Sequence, residues 1–147
     1  MPGARLVMVG PPGWGRNEAI PELEAVVAQG SVSRLGWVSD ARLRWLYEHA
    51  AVTLNPSRAE GFGLPVVEAL GLGCPVVISE DPALLEVSEG RCTSRRVDDP
   101  RGWVEATVEH LRHPRRIIPP RVTRRWEDVA ADLVAVADHA RSGVITR

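Results

Sequence analysis

The stretch NPSRAEGFGLPVVEALGL, residues 55–72, carries the clearest structural signal in this chain. It follows a short apolar run, Ala51 to Leu54, which predicts a buried strand. A polar turn broken by Gly61 and Gly63 comes next, and Pro65 can then open a helix at a position where a missing N–H costs nothing. The residues that follow are apolar on every side of this helix, apart from Glu68, which indicates that the helix is buried.

Two glutamates flank the turn. Glu60 lies just before it, and Glu68 lies one turn inside the apolar helix. An unpaired polar group in an apolar setting costs on the order of 2–7 kcal/mol, so a buried Glu68 needs a partner. Two simpler interpretations stay open: Glu60 as a solvated loop residue, and Glu68 pointing outward near the positive end of the helix.

The turn between the glutamates has the chemistry of an anion site. Gly61 and Gly63 permit φ > 0 and leave the backbone open to a ligand. The N–H groups in the first turn of a helix have no partner within it, so they attract a phosphate group. Carboxylates accept hydrogen bonds from sugar hydroxyls. The combination predicts a phosphorylated sugar ligand, such as a nucleotide-sugar.

Glu60 and Glu68, separated by seven residues around Gly-Phe-Gly-Leu-Pro, resemble the signature of the group 1 (family 4) retaining glycosyltransferases, which have the GT-B fold. The resemblance implies that Glu60 contacts the donor sugar and that Glu68 holds the ribose hydroxyls. It also implies that the donor diphosphate lies against the backbone of Gly61, Phe62, Gly63 and Leu64. This class generally works without a bound metal, so no cofactor is expected.

Composition limits the other functions. The chain has 147 residues, enough for one domain with a core, and its formal net charge of −1 argues against nucleic-acid binding. Cys74 and Cys92 form neither a disulfide framework nor a metal spacing, and Cys74 is expected to be a small buried thiol. The four histidines form no ligand cluster. With no signal peptide and no apolar run long enough to span a bilayer, the expected location is a reducing cytoplasm.

The amino-terminal part alternates strands with glycine-containing turns. Residues 5–9 predict a buried strand, followed by the loop at residues 10–15. The family carries a similar glycine loop, which implies a donor-binding role for Gly13; a tight turn packed by Trp14 is the alternative. A helix at residues 18–29 and a strand at residues 32–38 are expected next.

The end of that strand resembles the family's nucleobase turn. The residues Gly36-Trp-Val-Ser-Asp40 are similar to a turn that meets the base through main-chain groups, and Val38 is the position that corresponds. From the residues alone, Val38 is equally well an ordinary apolar residue before a helix cap.

The rest of the chain continues the alternation. Ser39 is expected to cap a helix running to about His49, and Asp99 a helix running to about His113. Further expected elements are a strand at residues 75–79, a loop resembling the family's at residues 80–89, a short edge strand at residues 93–97 and an amphipathic helix at residues 129–140.

A basic, proline-broken segment runs from Arg112 to Arg125. A solvated face is one interpretation of its arginines. The other is contact with an acidic partner or with an anionic membrane surface, which would place the protein peripherally at the inner face of the membrane.

The fold class predicted from this order is α/β, a Rossmann-like parallel sheet with helices on both faces. The resemblance makes residues 1–147 the carboxyl-terminal, donor-binding half of a GT-B fold. It lacks the first strand and the acceptor-binding domain, which would have to act in cis or in trans. The two cationic side chains that bind the diphosphate in the family are also missing from the matching positions. Arg16 or Arg58 could take their place. A missing strand leaves an unpaired sheet edge.

The predicted function is therefore retaining sugar transfer from a nucleotide-diphosphate donor to an acceptor hydroxyl, with the isolated chain inactive. The donor base and sugar and the acceptor stay open. One alternative is a non-catalytic or split-enzyme interaction module derived from such a domain. A more remote one is a GT-B-like sugar-nucleotide epimerase.

Overall fold

The computed structural model describes residues 3–11, 21–120 and 126–141. The expected start of the first helix, before Pro21, lies outside these residues. Strands and helices alternate along the described chain, in the order β1 (Leu6–Met8), α1 (Pro21–Ala28), β2 (Val32–Arg34), α2 (Asp40–His49), β3 (Thr53–Asn55), α3 (Leu64–Gly71), β4 (Val76–Ser79), α4 (Pro82–Ser88), β5 (Thr93–Arg95), α5 (Pro100–Arg112) and α6 (Trp126–Arg141).

All strand pairs are parallel, as the sequence predicts, but they form two sheets. β1 pairs with β2, with Leu6 opposite Val32. The second sheet has the order β3-β4-β5, with Thr53 opposite Val76 and Ile78 opposite Ser94. Within the described residues no hydrogen-bonded ladder joins β1 to β3. Parallel strands need crossover helices, and these helices cover the sheet faces.

β4 is the centre of the core. Its residues Val76, Val77 and Ile78 are at most 1% exposed, so both faces of the strand are covered. Val76 and Ile78 belong to the main apolar cluster, together with residues of α2, α3 and α4. Val77 points to the opposite face, where α5 contacts β4. Cys74, just before the strand, is fully buried as expected.

Helix caps confirm two boundaries and correct a third. Ser39 Oγ accepts a hydrogen bond from Arg42 N at 3.3 Å, and an Asp99 carboxylate oxygen accepts one from Gly102 N at 2.9 Å. The prediction of a loop at residues 80–89 is wrong, because most of this segment forms the helix α4. Asp81 accepts hydrogen bonds from the first-turn amides of that helix, and Pro82 starts it.

The helix α3 is not buried on every side, contrary to the expectation from its apolar sequence. Val66, Ala69 and Leu70 are buried against the core. Leu64, in contrast, is 58% exposed, and Glu68 is also exposed. One face of the helix therefore packs on the sheet while the other lies open beside the glycine turn.

Two other apolar segments are also exposed. Leu6, Val7 and Met8 of β1 are 39–43% exposed, so the expected strand forms but is not buried. In α6, Leu133 and Val136 are among the large apolar side chains that lie more than half exposed. The amphipathic pattern of this helix therefore presents an apolar surface to the outside.

The segment after α5 is fastened to the ends of two helices by Arg116. Its guanidinium donates to the carbonyl oxygens of Tyr47 at 3.0 Å and Ala50 at 3.2 Å, at the end of α2, and to that of Leu72 after α3. Ile117 N adds a hydrogen bond to Gly73 O at 3.0 Å. The last carbonyls of a helix have no partner within it, so Arg116 satisfies groups that would otherwise need water.

We expect Arg116→Ala to lower the free energy of unfolding by about 1–3 kcal/mol, since it removes charge-assisted hydrogen bonds to three carbonyls. Arg115→Ala, a change of the exposed neighbour, is the matched control and should alter it by less than about 0.5 kcal/mol. Urea unfolding followed by circular dichroism measures both. Equal effects of the two substitutions would show that the Arg116 bonds contribute no stability.

Candidate functional site

The candidate site is built where two parallel strands end. Asn55 is the last residue of β3 and Ser79 the last of β4, and the chain between Asn55 and α3 forms the site loop, residues 56–63. Ser79 Oγ donates a hydrogen bond to the backbone carbonyl of Ser57, which ties this loop to the central strand. The carboxyl ends of parallel strands are where open α/β sheets bind their ligands.

Glu60 is half-buried and held by a hydroxyl group. Ser57 Oγ lies 2.7 Å from Glu60 Oε1 and 2.8 Å from Asn55 Oδ1. Asn55 and Ser79 are buried, with 7% and 2% exposure. Glu60 does lie in the site loop, as the simpler interpretation has it, but its carboxylate is partly buried and accepts a hydrogen bond from Ser57.

The glycine turn has one glycine that the fold requires and one that it does not. Gly63 has φ +88° and is the cap residue of α3, and a Cβ added there would lie 2.6 Å from Leu84 Cδ2. A Cβ added at Gly61 would meet nothing within 4 Å. The side chains of Phe62 and Leu64 are 59% and 58% exposed. Gly63 thus serves the packing of α3 on α4, and Gly61 keeps the outer surface of the turn open.

The backbone N–H groups of this turn differ in whether they have a partner. In the described part of the chain no group accepts a hydrogen bond from the N–H of residues 61–64. The amides of Val66 and Val67 both bond to Gly63 O, at 2.9 and 3.3 Å, so the turn itself satisfies them. Unpaired amides at the amino end of a helix attract negative charge.

Glu68 lies on the exposed side of α3, where Tyr47 Oη donates a long hydrogen bond of 3.3 Å to its Oε2. Burial and, next, the charge of Glu68 raise the pKa of the Tyr47 phenol, so this group stays protonated and remains a donor. The outward orientation considered for Glu68 is the one observed, and the burial cost expected for it does not arise.

Of the remaining predicted residues, only Val38 and Arg58 lie in the part of the chain that the structure describes. Val38 is half-buried in the loop between β2 and α2, and within the described residues no hydrogen bond links it to residues 60–68. Gly13 and Arg16 lie outside the described residues. Arg58 is exposed in the site loop.

Ser57, Asn55, Ser79 and Tyr47 are the site residues that sequence reasoning missed. For Ser57 and Asn55, the only indication in the sequence was their position between β3 and the glycine turn. Nothing in the sequence indicated a site role for Tyr47, because its helical spacing is that of a core residue. Its contact with α3 depends on how the two helices pack.

The described residues offer no metal site and no membrane span. Nowhere in them do three or more His, Cys, Asp or Glu side chains come together as metal ligands. Among the described helices none is both long enough and apolar enough to cross a bilayer.

Comparison with known proteins identifies the class of protein that this fold and site define. The family model described as glycosyl transferases group 1 matches residues 1–113. The chain therefore belongs to the group 1 glycosyltransferases. It is 39% identical over 82 residues to the O-antigen chain mannosyltransferase B of Escherichia coli, a match covering 56% of this chain and 22% of that protein.

Two further comparisons support the assignment. The MMP alpha-(1->4)-mannosyltransferase of Mycolicibacterium hassiacum is 36% identical over 114 residues, which cover 70% of this chain and 28% of that protein. The sucrose-phosphate synthase of Thermosynechococcus elongatus superposes on 95% of this chain and 39% of its own, with a TM-score of 0.75 and 22% identity. The fold is thus that of a GT-B glycosyltransferase, and the chain spans about a quarter of the length of these mannosyltransferases.

We expect Gly63→Ala to destabilise the chain by about 2–4 kcal/mol, because alanine is strained at this positive φ and its Cβ would collide with Leu84. Gly61→Ala in the same turn is the control and should change the free energy of unfolding by less than about 1 kcal/mol. Thermal and urea unfolding measure both variants. Equal stability of the two would contradict the packing role assigned to Gly63.

Proposed function

We propose that this chain is the donor-binding domain of a glycosyltransferase that uses a nucleotide-diphosphate sugar and transfers the sugar, with retention, to an acceptor hydroxyl. One observation carries the proposal: a turn with unpaired backbone amides lies between two carboxylates, each held by a hydroxyl group. Membership of the group 1 family adds the reaction class. The mannosyltransferases among its relatives make a mannosyl group the first candidate sugar.

Each part of the site has a role in this proposal. The amides of residues 61–64 and the amino end of α3 bind the diphosphate and stabilise the negative charge that grows on it as the sugar leaves. Glu68, accessible on the open side of α3, accepts hydrogen bonds from the ribose hydroxyls. Glu60 accepts one from a hydroxyl of the donor sugar. Val38 and Gly13 are proposed donor contacts from the family resemblance alone, and no metal ion is needed.

We expect the chain to bind one of UDP, GDP and ADP in a calorimetric titration, and Glu68→Ala to weaken that binding at least tenfold. A lost hydrogen bond to a charged group is worth about 1.5–3 kcal/mol. Glu105→Ala, an exposed change on α5, is the matched control and should leave the affinity unchanged.

Either of two results would contradict the proposed donor site. One is a chain that is folded by circular dichroism and binds none of the three nucleotides. The other is equal affinity of Glu68→Ala and the unaltered chain for the nucleotide that binds.

Catalysis is proposed to need an acceptor-binding domain, in the same polypeptide or in a second one. Among the described residues, the groups brought together at the proposed donor site come from the carboxyl ends of β3 and β4 and the start of α3. The chain also spans only about a quarter of the length of the mannosyltransferases that it matches. The acceptor and the groups facing the donor sugar from its other side would come from that domain.

The purified chain of 147 residues is therefore expected to form no product from GDP-mannose, UDP-glucose or ADP-glucose with simple sugar acceptors. Mass spectrometry of the reaction mixtures checks this. Sugar transfer that persists through further purification, and that Glu60→Ala abolishes, would refute the need for a second domain.

A non-catalytic or split-enzyme interaction module is the second candidate. The exposed apolar side chains of β1, and separately those of α6, favour it, since exposed apolar patches mark interaction sites. Under either function the proposed location is the cytoplasm. Membrane contact through residues 112–125 would have to use arginines other than Arg116, whose guanidinium is bonded to helix ends.

A further inference from the structure

Ser57 places one hydroxyl group between two side-chain oxygens. Its Oγ lies 2.7 Å from Glu60 Oε1 and 2.8 Å from Asn55 Oδ1, and both distances are those of hydrogen bonds. A serine hydroxyl carries a single proton, so it can donate to only one of these oxygens at a time. The other contact must be made in a different way.

The acceptor that receives the proton is the carboxylate. Hydrogen bonds to an ionised oxygen are about twice as strong as those between neutral groups. The oxygen and nitrogen ends of the Asn55 carboxamide have the same shape, so turning this group over brings Nδ2 to Ser57 Oγ as a donor. Asn55 is 7% exposed, and a buried polar group without a partner is costly. With the carboxamide turned, each of the two contacts of Ser57 Oγ pairs one donor with one acceptor.

The framework around Ser57 fixes this arrangement in place. Asn55 ends β3 opposite Ile78, and the next residue of β4, Ser79, donates to the Ser57 carbonyl. Both strands belong to the more buried of the two sheets that the described residues form. The backbone of Ser57 is therefore held by one strand end, and its side chain lies beside the other.

We propose that Ser57 is a positioning residue for Glu60, in a one-way relay in which Asn55 Nδ2 donates to Ser57 Oγ and Ser57 Oγ donates to Glu60 Oε1. The relay fixes the rotamer of the carboxylate and leaves Oε2 to accept a hydrogen bond from a hydroxyl of the donor sugar. This last step rests on the function proposed above, whereas the relay itself does not depend on it.

The side-chain amide signals of the chain test the relay without a ligand. The sequence contains only three carboxamide side chains, Asn17, Gln29 and Asn55, so their ¹⁵N–¹H₂ signals are easily assigned. In Ser57→Ala, the Asn55 NH₂ protons lose their acceptor, so their signals should shift and their exchange with water should accelerate severalfold. The other two pairs should not change, and Ser57→Thr, which keeps the hydroxyl, should retain the slow exchange of Asn55.

Binding measurements test what the relay does for the ligand. Ser57→Ala should weaken binding of the nucleotide-sugar about tenfold, with GDP-mannose, UDP-glucose and ADP-glucose as probes, and that of the matching free nucleotide less than twofold. Ser57→Thr should recover most of the loss. Asn55→Asp keeps the shape but removes the donor, so it should act like Ser57→Ala. Ser31→Ala, an exposed serine far along the chain, is the control.

The outcomes separate the relay from the proposed function. Unaltered Asn55 signals in Ser57→Ala, or normal sugar-nucleotide binding by Asn55→Asp, would overturn the relay even if nucleotides bind. If the unaltered chain binds no probe while the Asn55 signals respond as expected, the relay stands and the donor-binding function fails. Equal weakening of nucleotide and nucleotide-sugar by Ser57→Ala would assign Ser57 a general structural role and overturn its positioning of Glu60.

Discussion

Strand β4 is buried on both faces, and the neighbouring strands and helices are arranged around it. Val76 and Ile78 close the cluster formed with α2, α3 and α4, while Val77 faces the layer that α5 covers. β3 and β5 pair with β4 on its two edges, and both run parallel to it. The carboxyl ends of the three strands therefore lie at the same edge of the sheet. The loops that leave these carboxyl ends are then held at one edge, and the site is made from them.

Hydroxyl groups, rather than cations, hold the two glutamates of the site. The chain is rich in arginine, yet among the described residues no arginine forms an ion pair with Glu60 or Glu68. An arginine fork would occupy both carboxylate oxygens and neutralise the charge. A serine or tyrosine hydroxyl occupies one oxygen and leaves the charge available. Such a carboxylate can still accept a hydrogen bond from a ligand, which suits the sugar hydroxyls proposed here.

Local signals in the sequence sufficed for much of the fold. The caps at Ser39 and Asp99 are short-range interactions, and the sequence predicted both. The same kind of signal, Asp81 before Pro82, begins α4, where the family resemblance alone predicted a loop. The partners of the glutamates are a different matter. Tyr47 contacts Glu68, which is 21 residues away in the sequence. Position 63 must be a glycine because Leu84, from another helix, occupies the place of a Cβ. No pattern within one element carries such contacts.

Burial was the property that the sequence predicted least well, and the contrast of β1 with β4 shows why. Leu6-Val-Met8 and Val76-Val-Ile78 are equally apolar, and both form parallel strands. The first is about 40% exposed, while the second is closed to solvent. An apolar run therefore shows that a strand can be buried. Whether it is buried depends on the elements that pack around it. Since each exposed apolar square ångström costs about 25 cal/mol, β1 and the open face of α6 favour any state in which further polypeptide covers them. The proposed donor site has the same requirement, since it would have to close around a sugar and exclude water.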